Sequence, residues 1–426
     1  MILFHSISAR RRVTTCVILA LILLPSFSTA ADIRDERLSL KALIEETAQQ
    51  NPDMKAARER WEAAKAIVPQ VQTLPDPTVR LGYQQLPMGP PGVEGAIYGF
   101  GQEIPFPGKL RLRGEVASRE AQRFEQEYEA VRLRVIARLK QDYFDLHFVH
   151  KAIEIVEKNE RLLLQFEKTA RARYGVGQAA QQDVFRAQVE VSRVLDRLAV
   201  LQQQKESLHG EINRLRNRPP AGPLGTPEEI QVNLLPIPLE ELNHRADAVS
   251  PILLATAKSI ERGEQAVALA RREYYPDFDL TALGLRNDRI SANGYQVMLG
   301  IRIPLYYETK QREGVSQALA GLSSAREDFT AMRQDVLFRV KDAFVQAQRA
   351  ERLVLILRDA IIPQATLSLE SAQAGYAVGK VDFLSLLNSL LTLQENELEL
   401  HGEMVAHEKA VARLEELTGG DLVSRK

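Results

Sequence analysis

The sequence of 426 residues contains an internal repeat: a set of short motifs recurs in the same order about two hundred residues later. The members of the four pairs are 199, 201, 199 and 202 residues apart. Such a constant period indicates a tandem duplication, so each half is expected to build the same unit of structure. The pairs are Asn51-Pro52 with Ser250-Pro251, Pro75-Asp76 with Pro276-Asp277, Ile104-Pro105 with Ile303-Pro304, and Tyr174-x-x-Gly177 with Tyr376-x-x-Gly379.

Residues 1–31 have the pattern of a bacterial secretory signal. A basic stretch at residues 10–12 precedes an apolar run at 17–24 and the small residues 28–31, which suit cleavage. A retained membrane anchor is the alternative, although the run is short for a span and Pro25 closes it. The mature chain is therefore predicted to be exported, and it has no thiol, because the only cysteine, Cys16, lies inside the signal.

Charge and hydropathy exclude two classes of protein. The formal net charge is −1 and no basic block occurs, so nucleic acid is not an expected partner. Beyond the signal no apolar stretch reaches the length of about eighteen residues that a membrane-spanning helix needs. If this protein crosses a membrane, we expect it to do so with strands.

Each half is predicted to fold as short helices, two strands, a very long helix, a turn and a further helix. The first repeat covers residues 32–217 and the second 239–418; a proline-rich linker, 218–238, wraps outside the helices, and 419–426 form a tail. The long helices are predicted over about 109–174 and 308–374, and the first would be roughly 100 Å long. Their apolar positions step by three and four, as in a coiled coil.

Four segments alternate with period two and are predicted to be strands: about 76–86, 95–105, 277–286 and 294–305. Their length of about ten residues suits a tilted crossing of a bilayer. A soluble two-layer sheet that caps a helical rod is the alternative reading. Four strands cannot close a barrel and lipid does not tolerate an open edge, so strands in a membrane would require several copies of the chain.

Three motifs carry a resemblance to a known family: Phe100 to Leu110 (FGQEIPFPGKL), Tyr174-Gly175-Val176-Gly177 with Asp183-Val184, and Tyr376-Ala377-Val378-Gly379 with Asp382-Phe383. With the duplicated layout, they make the chain resemble the TolC-like outer-membrane efflux proteins over essentially its whole mature length. The first motif is most similar to the branch that works with heavy-metal or other cation efflux pumps.

The resemblance implies a mainly α fold with a small membrane β part. Three copies would form a homotrimer with a twelve-stranded outer-membrane β-barrel on a periplasmic α-helical barrel. It also implies three partners, namely outer-membrane lipid, a periplasmic adaptor and an inner-membrane pump. Many relatives carry a lipidated cysteine at the mature amino terminus; this chain does not, so anchoring would depend on the barrel.

The resemblance assigns adaptor docking to the two helix tips, and the glycines there are expected to reverse the chain. Pro363, which stands where the first repeat has Arg161, and Glu370 are candidates for the gate of the tunnel. The docking candidates are Tyr174, Gly175, Val176, Gly177, Asp183, Tyr376, Val378, Gly379 and Asp382, and the strand–helix junction candidates are Pro105, Pro107, Gly108 and Pro304.

No catalytic constellation, cofactor motif or phosphate loop is visible, so we expect no enzyme and no cofactor. His147 and His150, beside Asp145, could share a metal ion on one helix face, but the preferred reading makes them solvent-facing polar positions, with no metal site. The predicted function is a passive exit duct for efflux. The rival is a periplasmic coiled-coil structural or adaptor protein with soluble hairpins.

Overall fold

The computed structural model describes residues 37–85, 94–230, 232, 235–287 and 292–422. The predicted signal at 1–31 and the last four residues of the predicted tail lie outside the described residues.

The two repeats have the same order of elements. The first contains α1 (Leu40–Gln50), α2 (Pro52–Gln72), β1 (Thr78–Gln85), β2 (Glu94–Ile104), α3 (Lys109–Gly175) and α4 (Gln181–Leu215). The second contains α5 (Leu239–Val249), α6 (Pro251–Arg272), β3 (Asp277–Asn287), β4 (Ala292–Arg302), α7 (Gln311–Ile356), α8 (Ile362–Ala377) and α9 (Phe383–Thr418). Within the described ranges, no helix is both long enough and apolar enough to cross a membrane.

Asn51 separates the first two helices. Its side chain accepts a hydrogen bond of 3.0 Å from the backbone N–H of Met54, and Pro52 occupies the first helical position, where its missing N–H costs nothing. The Asn51 amide also donates to the Leu215 carbonyl over 2.8 Å. The break between α1 and α2 is therefore fixed by a local cap and tied to the far end of α4.

The four strands form one antiparallel sheet in the order β1-β2-β3-β4. The register aligns Leu81 with Tyr98, then Gly284, then Tyr295, so these side chains share one face. That face is apolar and exposed, and Leu81 is 80% exposed. The opposite face is mixed, because Arg80, Gly99 and Gln296 share it with Ile97, Leu283 and Leu285.

The helices continue the sheet as a layer four elements wide. Near the sheet the order is α2-α3-α6-α7, and towards the tips it is α4-α3-α9-α7/α8. The layer therefore has the same two edges throughout. The first edge consists of β1, α2 and α4, and the second consists of β4, α7 and α8.

The hydrophobic core joins the two repeats. Its largest cluster packs Leu163 and Phe166 of α3 against Leu386 and Leu390 of α9, all of them buried. Packing of this kind supplies most of the stability of a helix in a folded protein.

The second long helix is predicted over about 308–374, with a break and a bend at Pro363. It begins at Gln311, and a π-helical turn, Leu357–Ile361, separates α7 from α8. The N–H of Ile362 donates to the Leu357 carbonyl, five residues back. Because Pro363 has no N–H to donate, the widened turn reorganises the bonding where a regular α-helix would lose a bond. The first long helix has no such interruption.

Candidate functional sites at the helix tips and the strand–helix junctions

Both helix tips end in the same backbone motif. Gly177 and Gly379 have φ angles of 75° and 77°, in the left-handed region that favours glycine. The N–H of Gln178 donates to the Arg173 carbonyl over 2.8 Å, and the N–H of Lys380 donates to the Gly375 carbonyl over 2.9 Å. These bonds satisfy the last helical carbonyls and reverse the chain.

Each tip exposes an apolar apex. Val176 and Val378 are each 69% exposed, and Tyr174 is 45% exposed. Gly175 has open space where a Cβ would stand. Tyr174, Gly175 and Val176 of the first tip are therefore accessible, as is Val378 of the second tip.

Tyr376 is placed differently from its counterpart Tyr174, because it is only 4% exposed and packs edge-on against Phe383 with ring centroids 5.6 Å apart. The guanidinium of Arg173 lies 4.7 Å from the Tyr376 ring centroid and also donates to the Tyr376 carbonyl. Arg173 thus joins the two tips, with its charge at the carboxyl end of α8. The sequence reasoning missed this residue; the available signal was that Arg173 stands where the second repeat has Gly375.

The two tip aspartates also have different contacts. Asp382 caps α9, since its carboxylate accepts the Ser385 N–H over 2.6 Å, and this hydrogen bond lowers the pKa of Asp382. Asp183 does not cap α4, which begins after Ala180. Burial raises the pKa of Tyr376, and the nearby Asp183 carboxylate adds to the rise.

The two gate candidates lie on one helix face. Pro363 and Glu370 are both exposed, and Leu367 lies between them on the same side of α8. Glu370 makes no ion pair with any residue that the structure describes. Pro363 directly follows the π-helical turn, so the irregular backbone and the candidate carboxylate belong to one segment.

The first strand–helix junction is closed by the second repeat. Gly108 has a φ of 93° and precedes α3, whose first residue, Lys109, is 1% exposed. The Lys109 ammonium lies 2.9 Å from the Asp277 carboxylate and 3.0 Å from that of Glu273, and it donates to the Tyr275 carbonyl over 3.0 Å. A buried ammonium needs such partners to offset its lost hydration.

Aromatic and proline residues complete the first junction. Pro105 is buried, and the following Phe106 donates its N–H to Asp277 over 2.8 Å and stacks on Tyr275 at 4.6 Å. The Pro107 carbonyl accepts two hydrogen bonds from the Arg272 guanidinium, which lies over the Phe106 ring.

The second junction, from Pro304 to Lys310, is open. Pro304 is half-buried, whereas the aromatic residues Tyr306 and Tyr307 after it are exposed. Lys310 stands 201 residues after Lys109 and is exposed, without an ion pair to any described residue. The duplicated sequence thus produces one closed junction and one open junction.

His147 and His150 are not both the solvent-facing positions on α3 that the sequence predicts. His147 is 3% exposed, and its Nδ1–H donates to the Glu228 carbonyl of the linker over 3.0 Å, so the solvent-facing reading is wrong for this residue. The linker covers this part of α3, which the helical period could not reveal. Asp145 pairs with Lys409 at 2.7 Å. Burial lowers the pKa of His150 to about 4, with Lys205 and His209 adding to the effect.

Among the described residues, no three His, Cys, Asp or Glu side chains come together in a way that could hold a metal ion.

An apolar sheet face joined to coiled helices of about 100 Å defines the class of outer-membrane channels with long helical extensions. The model of the family "Outer membrane efflux protein" matches the chain twice, over residues 43–209 and 242–420, once in each repeat. The chain belongs to this family, and it is therefore an efflux channel component of the bacterial outer membrane.

Individual relatives agree in length and fold. The chain is 20% identical over 383 residues to the cobalt-zinc-cadmium resistance protein CzcC of Cupriavidus metallidurans, covering 90% of each chain. It also superposes on the outer-membrane channel OprN with a TM-score of 0.79 at 19% identity, covering 91% of this chain and 94% of the other. The channel protein CusC gives a TM-score of 0.78 at 16% identity, covering 89% and 92%.

These findings confirm the resemblance found in the sequence, together with the efflux role and the outer-membrane location. The relatives are channel and efflux proteins and not enzymes. The rival reading, a soluble periplasmic rod, is not favoured.

Proposed function

We propose that three copies of this chain close edge to edge into a homotrimer, whose twelve strands form an outer-membrane barrel above a helical tunnel. The channel is the passive exit duct of a tripartite efflux system. It receives its cargo from an inner-membrane pump through a periplasmic adaptor that docks at the helix tips.

The observation that carries the proposal is the distribution of exposed apolar side chains along the two edges of the layer. An open strand edge is not tolerated in lipid, and a layer with two complementary edges can close on itself only with further copies. On the helices of the first edge these residues include Ile67, Phe185, Val189 and Val200, and on those of the second Phe338, Val345, Ile356 and Leu367, while β1 and β4 are the outer strands of the sheet.

The cargo proposed for the channel is a heavy-metal cation. The similarity to CzcC over nine tenths of both chains supports this class, together with the first strand–helix motif. A duct requires no tight site, since tight binding would slow release. Deleting the gene should sensitise cells to cobalt, zinc or cadmium. Sensitivity to organic drugs alone would contradict the proposed cargo and indicate organic compounds instead.

Purification in mild detergent tests the assembly. We expect a heat-modifiable trimer that gives steady conductance in a planar bilayer, because four strands per chain are too few to close alone. A protein that stays monomeric, or a trimer without conductance, would contradict the proposed channel.

A further inference from the structure

The two strand–helix junctions differ because one of them lacks its partner. In the first junction Lys109 pairs with Asp277, a residue of the other repeat. The duplication shifts Lys109 to Lys310 and Asp76 to Asp277, in both cases by 201 residues. Lys310 and Asp76 therefore correspond, through the duplication, to Lys109 and Asp277, which form an ion pair within the chain.

Lys310 and Asp76 cannot meet within one chain. Asp76 precedes β1 on the first edge of the layer, and Lys310 follows β4 on the second edge. Both side chains are exposed, and neither makes an ion pair with a described residue. We propose that Asp76 of one copy pairs with Lys310 of the next copy, so that each seam of the trimer repeats the closed junction inside the chain. This inference depends on the proposed trimer.

The segment around Asp76 is built for such a contact. Pro75 and Pro77 fix the backbone on both sides and keep Leu74 and Asp76 extended, so these two side chains point to the same side. The Pro75 carbonyl is held by the Gln102 side chain over 2.7 Å. The segment thus presents an exposed carboxylate beside the exposed Leu74. Because its backbone is already restricted, it would lose little conformational entropy on binding a second copy.

The receiving side has matching chemistry. Tyr275, the counterpart of Leu74, stacks on Phe106 of the first junction, and the second junction offers the exposed Tyr306 and Tyr307 in the corresponding place. The second junction is two residues longer, six from Pro304 to Lys310 against four from Pro105 to Lys109. The long lysine side chain can span this difference.

The same symmetry sets the strand register across the seam. Within the chain Ile104 lies opposite Phe278. Shifting these by +199 and −201 residues places Ile303 opposite Pro77, and hence Val79 opposite Ile301 and Leu81 opposite Leu299. All four of these strand residues belong to the apolar face, as pairing without a slip of register requires.

Charge reversal tests the pair. Asp76→Lys and Lys310→Asp should each shorten the half-life of the trimer at elevated temperature by at least about tenfold, because each leaves two like charges in a buried seam. The double variant should recover most of the loss. Glu399→Lys, an exposed charge reversal on the central helix α9, serves as the control and should leave the half-life unchanged.

A crosslink locates the contact independently. Asp76→Cys combined with Lys310→Cys should give a covalent trimer with a short bis-maleimide, whereas each single cysteine should give none, since the mature chain has no other thiol. If the wild-type chain is a trimer but the double-cysteine variant gives no crosslink, or the double charge variant shows no rescue, the Asp76–Lys310 contact is overturned and the proposed channel stands. A wild-type monomer in mild detergent overturns both.

Discussion

At the scale of single residues, the tips depend on two backbone angles. Gly177→Val or Gly379→Val would force a β-branched residue to a positive φ. This conformation is strained for valine and unstrained for glycine, so each substitution should destabilise its tip. We expect efflux to fall while the proposed trimer survives, because the sheet that would form its barrel is about 100 Å away. Minimum inhibitory concentrations of the exported cation measure this effect.

Gly321→Ala is the matched control for the tip variants, since Gly321 lies inside α7, away from the tips, and has open space around it. Its efflux should equal that of the parent. Normal efflux in the Gly177 and Gly379 variants, with normal crosslinking to the adaptor, would show that the tip geometry is not used for docking.

The half-buried His150 predicts an acid sensitivity. The pKa of His150 is about 4 in the folded chain, below its ordinary value of about 6.5, so the unfolded chain binds the proton more readily. The corresponding stability is present above pH 6.5 and is lost as the pH falls towards 4. His150→Phe, which has no proton to bind, should show a smaller loss between pH 7 and pH 5.

Urea midpoints of the helical circular-dichroism signal at the two pH values give this comparison. Asp142 acts with the opposite sign, because burial raises its folded pKa to about 6, and its contribution is lost as the pH rises. The test is therefore the difference between variant and parent. An equal acid shift in both proteins would assign the sensitivity to other groups.

At the scale of elements, the π-helical turn Leu357–Ile361 directly precedes Pro363, the residue proposed to narrow the periplasmic mouth of the tunnel. Pro363→Ala restores a backbone donor and removes a helix-propensity penalty of up to about 3 kcal/mol, so we expect a regular α-helix through this turn. The face of α8 that carries Leu367 and Glu370 would rotate relative to α7. Basal conductance should rise, and cells should admit bulkier antibiotics.

Glu370→Gln separates charge from shape in the same segment, because it keeps volume and removes charge. It should lower the preference for cations without raising the basal conductance. If Pro363→Ala has the same basal conductance as the parent, the π-helical turn serves only packing and the gate must lie in another segment.

The periodicity of the sequence predicts the strands and helices well, but it does not predict the tertiary contacts between them. Strand alternation and the coiled-coil steps are local signals, and the structure has its strands and long helices close to the predicted places. Pro363 indicates an irregularity in its helix but not its form, a π-helical turn at Leu357–Ile361. The burial of His147 under the linker depends on a neighbour distant in sequence. The Lys109–Asp277 pair shows the same limit, since only the sheet order brings β3 next to the start of α3.

At the scale of the whole molecule, the repeats are interdependent. The buried Lys109 of the first repeat requires Asp277 of the second, and Leu163 packs with Leu390 across the boundary. Fragments 1–221 and 222–426, the latter with its own export signal, should each fail to accumulate in the outer membrane when expressed alone. Expressed together, they should assemble a heat-modifiable channel, because the cut at the exposed Ala221 removes no core contact.

A full-length chain with a protease site after Ala221 is the control for this experiment, and cleavage after assembly should leave its trimer and conductance intact. The physical reason is that noncovalent contacts between the repeats already fill the core, so that the linker mainly raises their effective concentration. A first fragment that alone formed a stable detergent-resistant ring would contradict this dependence. Six such fragments would then supply the same number of strands as three full chains, and the duplication would be a fusion of two self-sufficient units.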